Sequence, residues 1–300
     1  MGYELTRPAG HTSWRLPPPR EGRLLVAPVF ILSAARSGST LLRLILGSHS
    51  QLYAPPELPL GHMRVRAETR WIQTSINALR LTAEDLDHML WDHVLADALA
   101  RSGKPTMVAK TPSNALIWQR VAGCWPDARF IFLLRHPAAA VASLHASWDP
   151  SWHPGESGSL AEAISKGLRY MTKVEEARRA LAGFTIRYEE LTANPETATH
   201  RLCDFLGVPF EPAMLDYGRF SHNRFGAGLG DASAKIRSGR IQPSVPPPRA
   251  ADVPAALRDI CATWGYPKPS EEPALALARE PAFDAAQDSV TESAGGHSQA

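Results

Sequence analysis

The chain has 300 residues, 32 of them basic and 30 acidic, and its formal net charge of +2 makes no general case for nucleic acid or an anionic membrane surface. A hydrophobic fraction of 44% is ample for one large or two ordinary packed domains. Cys124, Cys203 and Cys261 stand far apart in no metal-like spacing and read as buried thiols of a reducing compartment. The longest apolar stretch, residues 24–35, is broken by Pro28 and falls far short of the ~20 residues of a membrane span. No apolar leader core is visible at the N-terminus, so a cytoplasmic protein without a membrane span is expected.

Residues 1–28, with Pro17-Pro18-Pro19, read as a flexible arm, residues 29–270 as one domain, and residues 271–300, rich in Ala, Glu and Ser, as a disordered tail. Val29-Phe30-Ile31-Leu32 is a continuous apolar run of the kind found in strands buried on both faces. It breaks into Ser33-Ala34-Ala35-Arg36-Ser37-Gly38-Ser39-Thr40 and then into a helical pattern from Leu41. Strand, small-residue loop and helix start make an anion cradle, to which Arg36, Ser39 and Thr40 add donors. The loop is like a P-loop without its lysine, since Gly38-Ser39-Thr40 stands where Gly-Lys-Ser/Thr is wanted.

Residues 49–60 read as a loop, and Thr82-Ala83-Glu84-Asp85 caps a helix to about residue 100 with Leu86, Met89, Leu90, Val94 and Leu95 on its apolar side. A short strand over 106–109 ends at Lys110-Thr111-Pro112, and Ser113 is read as the cap of a helix to about 123. Residues 129–134, Arg-Phe-Ile-Phe-Leu-Leu, are the clearest strand, followed by Arg135-His136-Pro137 and a helix from about 138. A long helix over 161–181, a strand over 184–188, a helix from Asn194-Pro195 to about 206 and a last helix from about 252 to 263 complete the pattern. Strands alternating with helices predict an open α/β fold: a central parallel sheet flanked by helices, with helical insertions on the acceptor side.

In such a sheet ligands bind at the carboxyl ends of the strands. Those ends carry the Arg36 loop, Lys110, Arg135 and Tyr188, three of the four bearing a cation and none a carboxylate. A rim of this kind suits an anion with more than one phosphate-like group.

The stretch from Phe30 to Leu42 resembles the 5′-phosphosulfate loop of sulfotransferases that use 3′-phosphoadenosine 5′-phosphosulfate (PAPS). Phe130 to Pro137, with Ser143 following, resembles the same family's 3′-phosphate motif, in which an Arg at the strand end and a Ser eight residues later hold that phosphate. Ile186-Arg187-Tyr188-Glu189-Glu190-Leu191 is similar to the segment whose Tyr approaches the adenine. The likeness runs from about residue 29 to residue 266. It implies that Arg36, Ser39 and Thr40 hold the 5′-phosphosulfate, with Ser37 and Gly38 shaping the loop, and that Arg135 and Ser143 hold the 3′-phosphate. Cytosolic members have Lys where Arg36 stands, so the likeness is to the bacterial and tyrosylprotein branches. In those branches a Glu some 20 residues past the loop deprotonates the acceptor, which points to Glu57 within an apolar setting of Pro55-Pro56 and Leu58-Pro59-Leu60. His62 is the reserve base. Lys110 matches the Lys that stabilises the moving sulfuryl group. Gly228 to Ile241 resembles the late loop over the nucleotide, with Lys235 the first choice for a phosphate contact and Ser233 and Arg240 after it.

The implied activity is transfer of a sulfuryl group from PAPS to a hydroxyl of a small-molecule acceptor (a natural product, lipid or glycoside), leaving adenosine 3′,5′-bisphosphate, with no metal. Residues 60–103 and 145–160, carrying Trp71, Trp91, Trp148 and Trp152, are expected to shape the acceptor pocket, with the Trp148–Pro154 stretch as a lid. The alternatives are a P-loop kinase or nucleotide hydrolase, against which the missing loop lysine counts, and a non-catalytic PAPS-binding relative, which would not need a base.

Overall fold

Strand β1, Val29–Ser33, is buried at every residue and lies at the middle of a five-stranded sheet. Its side chains alternate: Phe30 and Leu32 enter one apolar cluster, Val29 and Ile31 another on the opposite face, which is why this run is apolar without a break. The computed structural model describes residues 22–152, 155–220 and 230–267. The arm before residue 22, the tail from 271 and the domain's end at 270 therefore lie outside the described residues.

Helix α1 spans Ser39–Gly47, β2 Leu52–Tyr53, α2 Arg70–Ala78, α3 Ala83–Ser102 and β3 Thr106–Lys110. Then follow α4 (Trp118–Cys124), β4 (Arg129–Leu134), α5 (Pro137–Ala146), α6 (Leu160–Ala180) and β5 (Gly183–Arg187). Helices α7 (Tyr188–Ala193), α8 (Pro195–Leu206), α9 (Ala234–Arg237) and α10 (Arg258–Thr263) close the order. The sheet runs β2-β3-β1-β4-β5 with every pair parallel, as the alternating pattern predicts. Helices α1 and α8 pack on one face; α3, α4, α5, α6 and α10 cover the other. Because β3 and β4 flank β1, the ends of those strands put Lys110 and Arg135 on either side of the loop that follows β1. The chain reverses direction across the sheet there, and such a switch point is where an open α/β sheet leaves a crevice.

Several expectations need correction. The loop read over 49–60 contains β2, whose two residues pair with Thr106 and Met107 at the sheet's edge. Helix α2 was not expected. Its sequence does carry an apolar stripe at helical spacing, Ile72, Ile76 and Leu79, but only Ile76 of it is buried. Ser113 is not a helix cap: Pro112–Ile117 forms a 3₁₀ turn, and the α-helix begins at Trp118. Tyr188 opens α7 rather than ending β5. The last helix starts at Arg258, after two 3₁₀ turns.

The face of α3 also differs. Trp91 and Leu95 point inward together with Asp87, His88 and Asp92, while Met89 is 46% exposed. The acids are tolerated because each is fully engaged. Asp92 accepts from the backbone N–H groups of Leu24 and Leu25 and from Trp125 Nε1, and Asp87 accepts from Val65 N–H and pairs with Arg64 and Arg120. The first of these sets also fastens the chain entering β1, where Leu25 is buried and Arg23 donates to the Cys124 carbonyl. Residues 23–25 are thus held, although they fall in the stretch read as a flexible arm. Trp91, an expected acceptor-pocket residue, is core: it is fully buried, donates to the Met63 carbonyl and lies under the Arg120 guanidinium.

Candidate active site at the strand ends

Between β1 and α1 the chain turns through residues 34–38 with Arg36 at φ 62° and Gly38 at φ 86°. Left-handed backbone is uncommon for a residue like Arg36 and concentrates at ligand clamps. Gly38 is the N-cap of α1 and brings no side-chain bond, so the helix's first N–H groups stay open, as an anion cradle requires. A Cβ at Gly38 would run into the Tyr188 ring, so glycine is needed both for the φ angle and for this approach. The cradle and the Tyr188 segment, 150 residues apart in sequence, are therefore one packed unit. Ser37, Ser39 and Thr40 are buried, and the Ser37 hydroxyl has no hydrogen-bond partner among the described residues.

Lys110, the last residue of β3, is 2% exposed. Its Nζ pairs with Glu57 Oε1 and donates to Thr40 Oγ1 at 3.3 Å. Burial holds the ammonium below the usual lysine value, and the Glu57 carboxylate works against that shift. Glu57 is presented on a pinned segment. The Thr111 hydroxyl accepts from Leu58 N–H at 2.9 Å and donates to the Leu58 carbonyl at 3.0 Å, and Asn114 Oδ1 accepts from Leu60 N–H at 3.2 Å. That use of Thr111 and Asn114 explains why the Lys-Thr-Pro segment forms a 3₁₀ turn and not a capped helix.

Arg43, one turn along α1 from Thr40, is 1% exposed. Its Nη1 donates to the Ala54 carbonyl at 3.1 Å, while Nε and Nη2 have no hydrogen-bond partner among the described residues. Burial lowers its affinity for the proton, and Glu57 is the carboxylate that offsets this. Arg43, Thr111 and Asn114 were not singled out from sequence. An arginine among Leu41-Leu42 and Leu44-Ile45-Leu46, on a helix buried along its whole length, was the available signal for the first of them.

On the other side, Arg135 donates to the Arg36 carbonyl at 2.7 Å and stacks over the Tyr188 ring at 4.8 Å. Its burial also disfavours the charged form. Ser143 on α5 accepts from Arg36 Nε at 3.3 Å, which ties the two phosphate motifs together. Glu189 supports this corner by accepting from His136 N–H and from the Tyr266 hydroxyl, both at 2.9 Å.

From the late segment, Asp231 places Oδ1 3.2 Å from Arg36 Nη1 and gives its N–H to Thr40 Oγ1 at 3.0 Å. Lys235 donates to the Pro243 carbonyl at 2.9 Å with Nζ 5.8 Å from the Tyr188 ring, and Ser233 gives its N–H to Asp231 Oδ1. These side chains surround a cavity of about 800 Å³ lined by Arg36, Thr40, Glu57, Arg135, Tyr188 and Lys235 among others. Ser233, Ser143 and Arg240 also line it; His62 is exposed on the turn Leu60–His62 and does not. Lys110 lies behind its partners Glu57 and Thr40, both on the wall. Ser147, at the end of α5, and Asp149, in the segment read as a lid, reach the wall; His153 and Pro154 of that segment lie outside the described residues. Fixed cations on both flanks, an open helix N-terminus and one wall carboxylate beside a buried lysine can hold a doubly anionic ligand and move a proton next to it.

A model of the sulfotransferase family matches residues 28–212. The chain is 23% identical over 210 residues to a protein-tyrosine sulfotransferase of Drosophila melanogaster, covering 67% of this chain and 42% of the relative. It is 28% identical over 218 residues to the nodulation protein NoeE of Sinorhizobium fredii, covering 62% of this chain and 51% of that protein. The match thus spans about half the length of these relatives. Among solved structures, a sulfotransferase domain from the curacin biosynthetic pathway superposes with a TM-score of 0.60 at 23% identity, covering 82% of this chain and 99% of that one. The sulfotransferase domain of the Synechococcus PCC 7002 olefin synthase gives 0.57 at 22%, covering 86% and 100%. Those likenesses show a shared fold, and no helix among the described residues is long and apolar enough to cross a membrane. With the family model matching well over half of its length, the chain belongs to the sulfotransferase family.

Proposed function

We propose that the chain transfers a sulfuryl group from PAPS to the hydroxyl of a small-molecule acceptor. The observation that carries this reading is the convergence on one cavity of Arg36, Thr40 and Glu57 from one flank and Arg135 and Tyr188 from the other. The residues fit the donor. The open N-terminus of α1, with Ser39 and Thr40 on the cavity wall, suits an anionic group beside Arg36. The Arg135–Tyr188 stack on the cavity wall suits a second phosphate next to a flat base.

When bound, PAPS supplies an activated sulfuryl group and a phosphate leaving group. Arg36 and the Thr40 hydroxyl would steady the sulfuryl end, and Arg135 with Ser143 the 3′-phosphate. Glu57 takes the proton from the acceptor hydroxyl. Lys110, released by Glu57 once that carboxylate takes the proton, would offset the negative charge that develops on the leaving phosphate, where a cation in a dry setting is worth most. The Thr111 and Asn114 bonds keep the Glu57 segment from following it. A small-molecule acceptor is supported by the cavity of about 800 Å³, whose wall carries Glu57 together with Arg36 and Arg135, with Ser147 and Asp149 also lining it.

The test is a panel of hydroxyl acceptors (phenols, sterols, glycosides, hydroxy-acyl thioesters and a tyrosine peptide) incubated with PAPS, following release of adenosine 3′,5′-bisphosphate. Turnover of a small hydroxyl compound without added metal supports the reading; turnover of the tyrosine peptide alone overturns its acceptor part. Mg²⁺-dependent hydrolysis of ATP with no sulfuryl transfer overturns the whole.

A further inference from the structure

Among the described residues, Asp231 is the carboxylate that pairs with Arg36. Its Oδ1 lies 3.2 Å from Arg36 Nη1 and accepts Ser233 N–H at 3.0 Å, while its own N–H donates to Thr40 Oγ1. Gly230, at φ 116°, brings the backbone so close that a Cβ would sit 3.0 Å from Thr40 Oγ1 and 3.4 Å from Glu57 Oε1. The segment is therefore pressed onto the cradle, not passing near it. A carboxylate in that position gives Arg36 what a phosphate oxygen would give it. Resting on the donor-site reading above, we infer that Asp231 is a specificity-determining residue that competes from within for the Arg36 subsite.

The consequence is selective. Any anion entering beside Arg36 must break the Asp231 pair and then face a fixed negative charge. A ligand with a single phosphate or sulfate bears that penalty alone. A ligand already held at Arg135 and Tyr188 meets it as an intramolecular step, at the high effective concentration that a second anchor provides. Asp231 thus lowers the affinity of every group that enters beside Arg36 by the same factor, so that only a ligand with a second anchor at Arg135 and Tyr188 keeps enough affinity to occupy the cradle.

Calorimetric titration of the full chain and of Asp231→Asn with three nucleotides tests this. Asparagine keeps the shape, the backbone N–H to Thr40 and an oxygen for Ser233, and thermal unfolding checks that the fold is unchanged. Adenosine 3′,5′-bisphosphate and adenosine 5′-monophosphate should each bind the variant about tenfold more tightly, the ~1.4 kcal/mol of one decade. Adenosine 3′-monophosphate, with nothing to place beside Arg36, should bind both proteins equally. Weaker or unchanged binding of the 5′-phosphates, or equal tightening of all three, overturns the inference while leaving the donor-site reading intact. A wild-type chain that binds none of the three overturns both.

Discussion

Residues 34–40 and 106–114 are buried or half-buried throughout and cross-tied, whereas residues 66–80 are almost wholly exposed. In the first region Lys110, Thr40, Asp231, Arg36, Ser143 and Arg135 form a continuous chain of polar contacts anchored at the ends of three adjacent strands. In the second, α2 buries only Ile76, and Trp71 on it is 84% exposed. One region is fixed by the sheet before any ligand arrives. The other holds its shape with a Thr69 cap and little else. This molecule commits its packing to the site at the strand ends and leaves α2 as open surface. That contrast also sets where substitutions should hurt.

The largest losses belong to the buried pair. Lys110→Ala and Glu57→Gln should each lower kcat by about 10²–10³-fold, the range for a lost general base or a lost electrostatic contact in the transition state. Binding of adenosine 3′,5′-bisphosphate should stay within about threefold, because it draws on Arg36 and Arg135. Near-normal turnover in both variants would break the roles assigned here. Burial also lowers the Lys110 pKa, so the ammonium loses its proton earlier than a free lysine as pH rises. In the free enzyme, kcat/KM for PAPS should therefore fall through a pH below the ordinary lysine value of ~10.4. Lys110→Arg should move that limb upward, since a guanidinium keeps its proton there.

Next in size is Arg135→Ala, expected to weaken adenosine 3′,5′-bisphosphate by about 10–100-fold, as for a lost charge-assisted bond. Adenosine 5′-monophosphate should be nearly unaffected, and equal losses for both ligands would mean that Arg135 only supports the Arg36 loop through the Arg36 carbonyl. Below it comes Arg43→Met. Two unpartnered nitrogens on a fully buried cation are costly, so thermal stability should hold or rise. Turnover should nonetheless fall about tenfold as the segment leading to Glu57 loses its tie at Ala54. A loss of stability without loss of turnover would make Arg43 a packing residue.

These contrasts follow how the sequence could be read. The β1 run, the glycine turn and the β4 run are signals carried by consecutive residues, because a strand buried on both faces needs no distant partner to declare itself. The family likeness then supplied positions such as Glu57 and Lys110, which the fold brings into contact from 53 residues apart. What stayed hidden depends on pairing across the chain. Thr111 reads as an ordinary helix-preceding residue until Leu58 is seen beside it, and Asp231 as a loop acid until it meets Arg36, 195 residues away. The apolar side of α3 misled for the same reason: Asp87 and Asp92 turn inward because backbone N–H groups from Val65, Leu24 and Leu25 wait there. Helix α2 was legible in principle, from Ile72, Ile76 and Leu79 at helical spacing, although the fold buries only Ile76 of that stripe.

The smallest effect expected, and the one that probes the open region, is Trp71→Ala. A side chain 84% exposed on a helix with one buried residue contributes little to folding, so stability should change by no more than about 0.5 kcal/mol. Donor affinity should be unchanged as well, since no residue of α2 lines the cavity. Large exposed aromatics are nonetheless enriched where a surface meets another molecule. If α2 belongs to the acceptor side, KM for the acceptor rises while KM for PAPS and kcat hold. If donor and acceptor constants both stay put, the acceptor is recognised within the cavity by Ser147, Asp149 and their neighbours, and α2 has no part in the reaction.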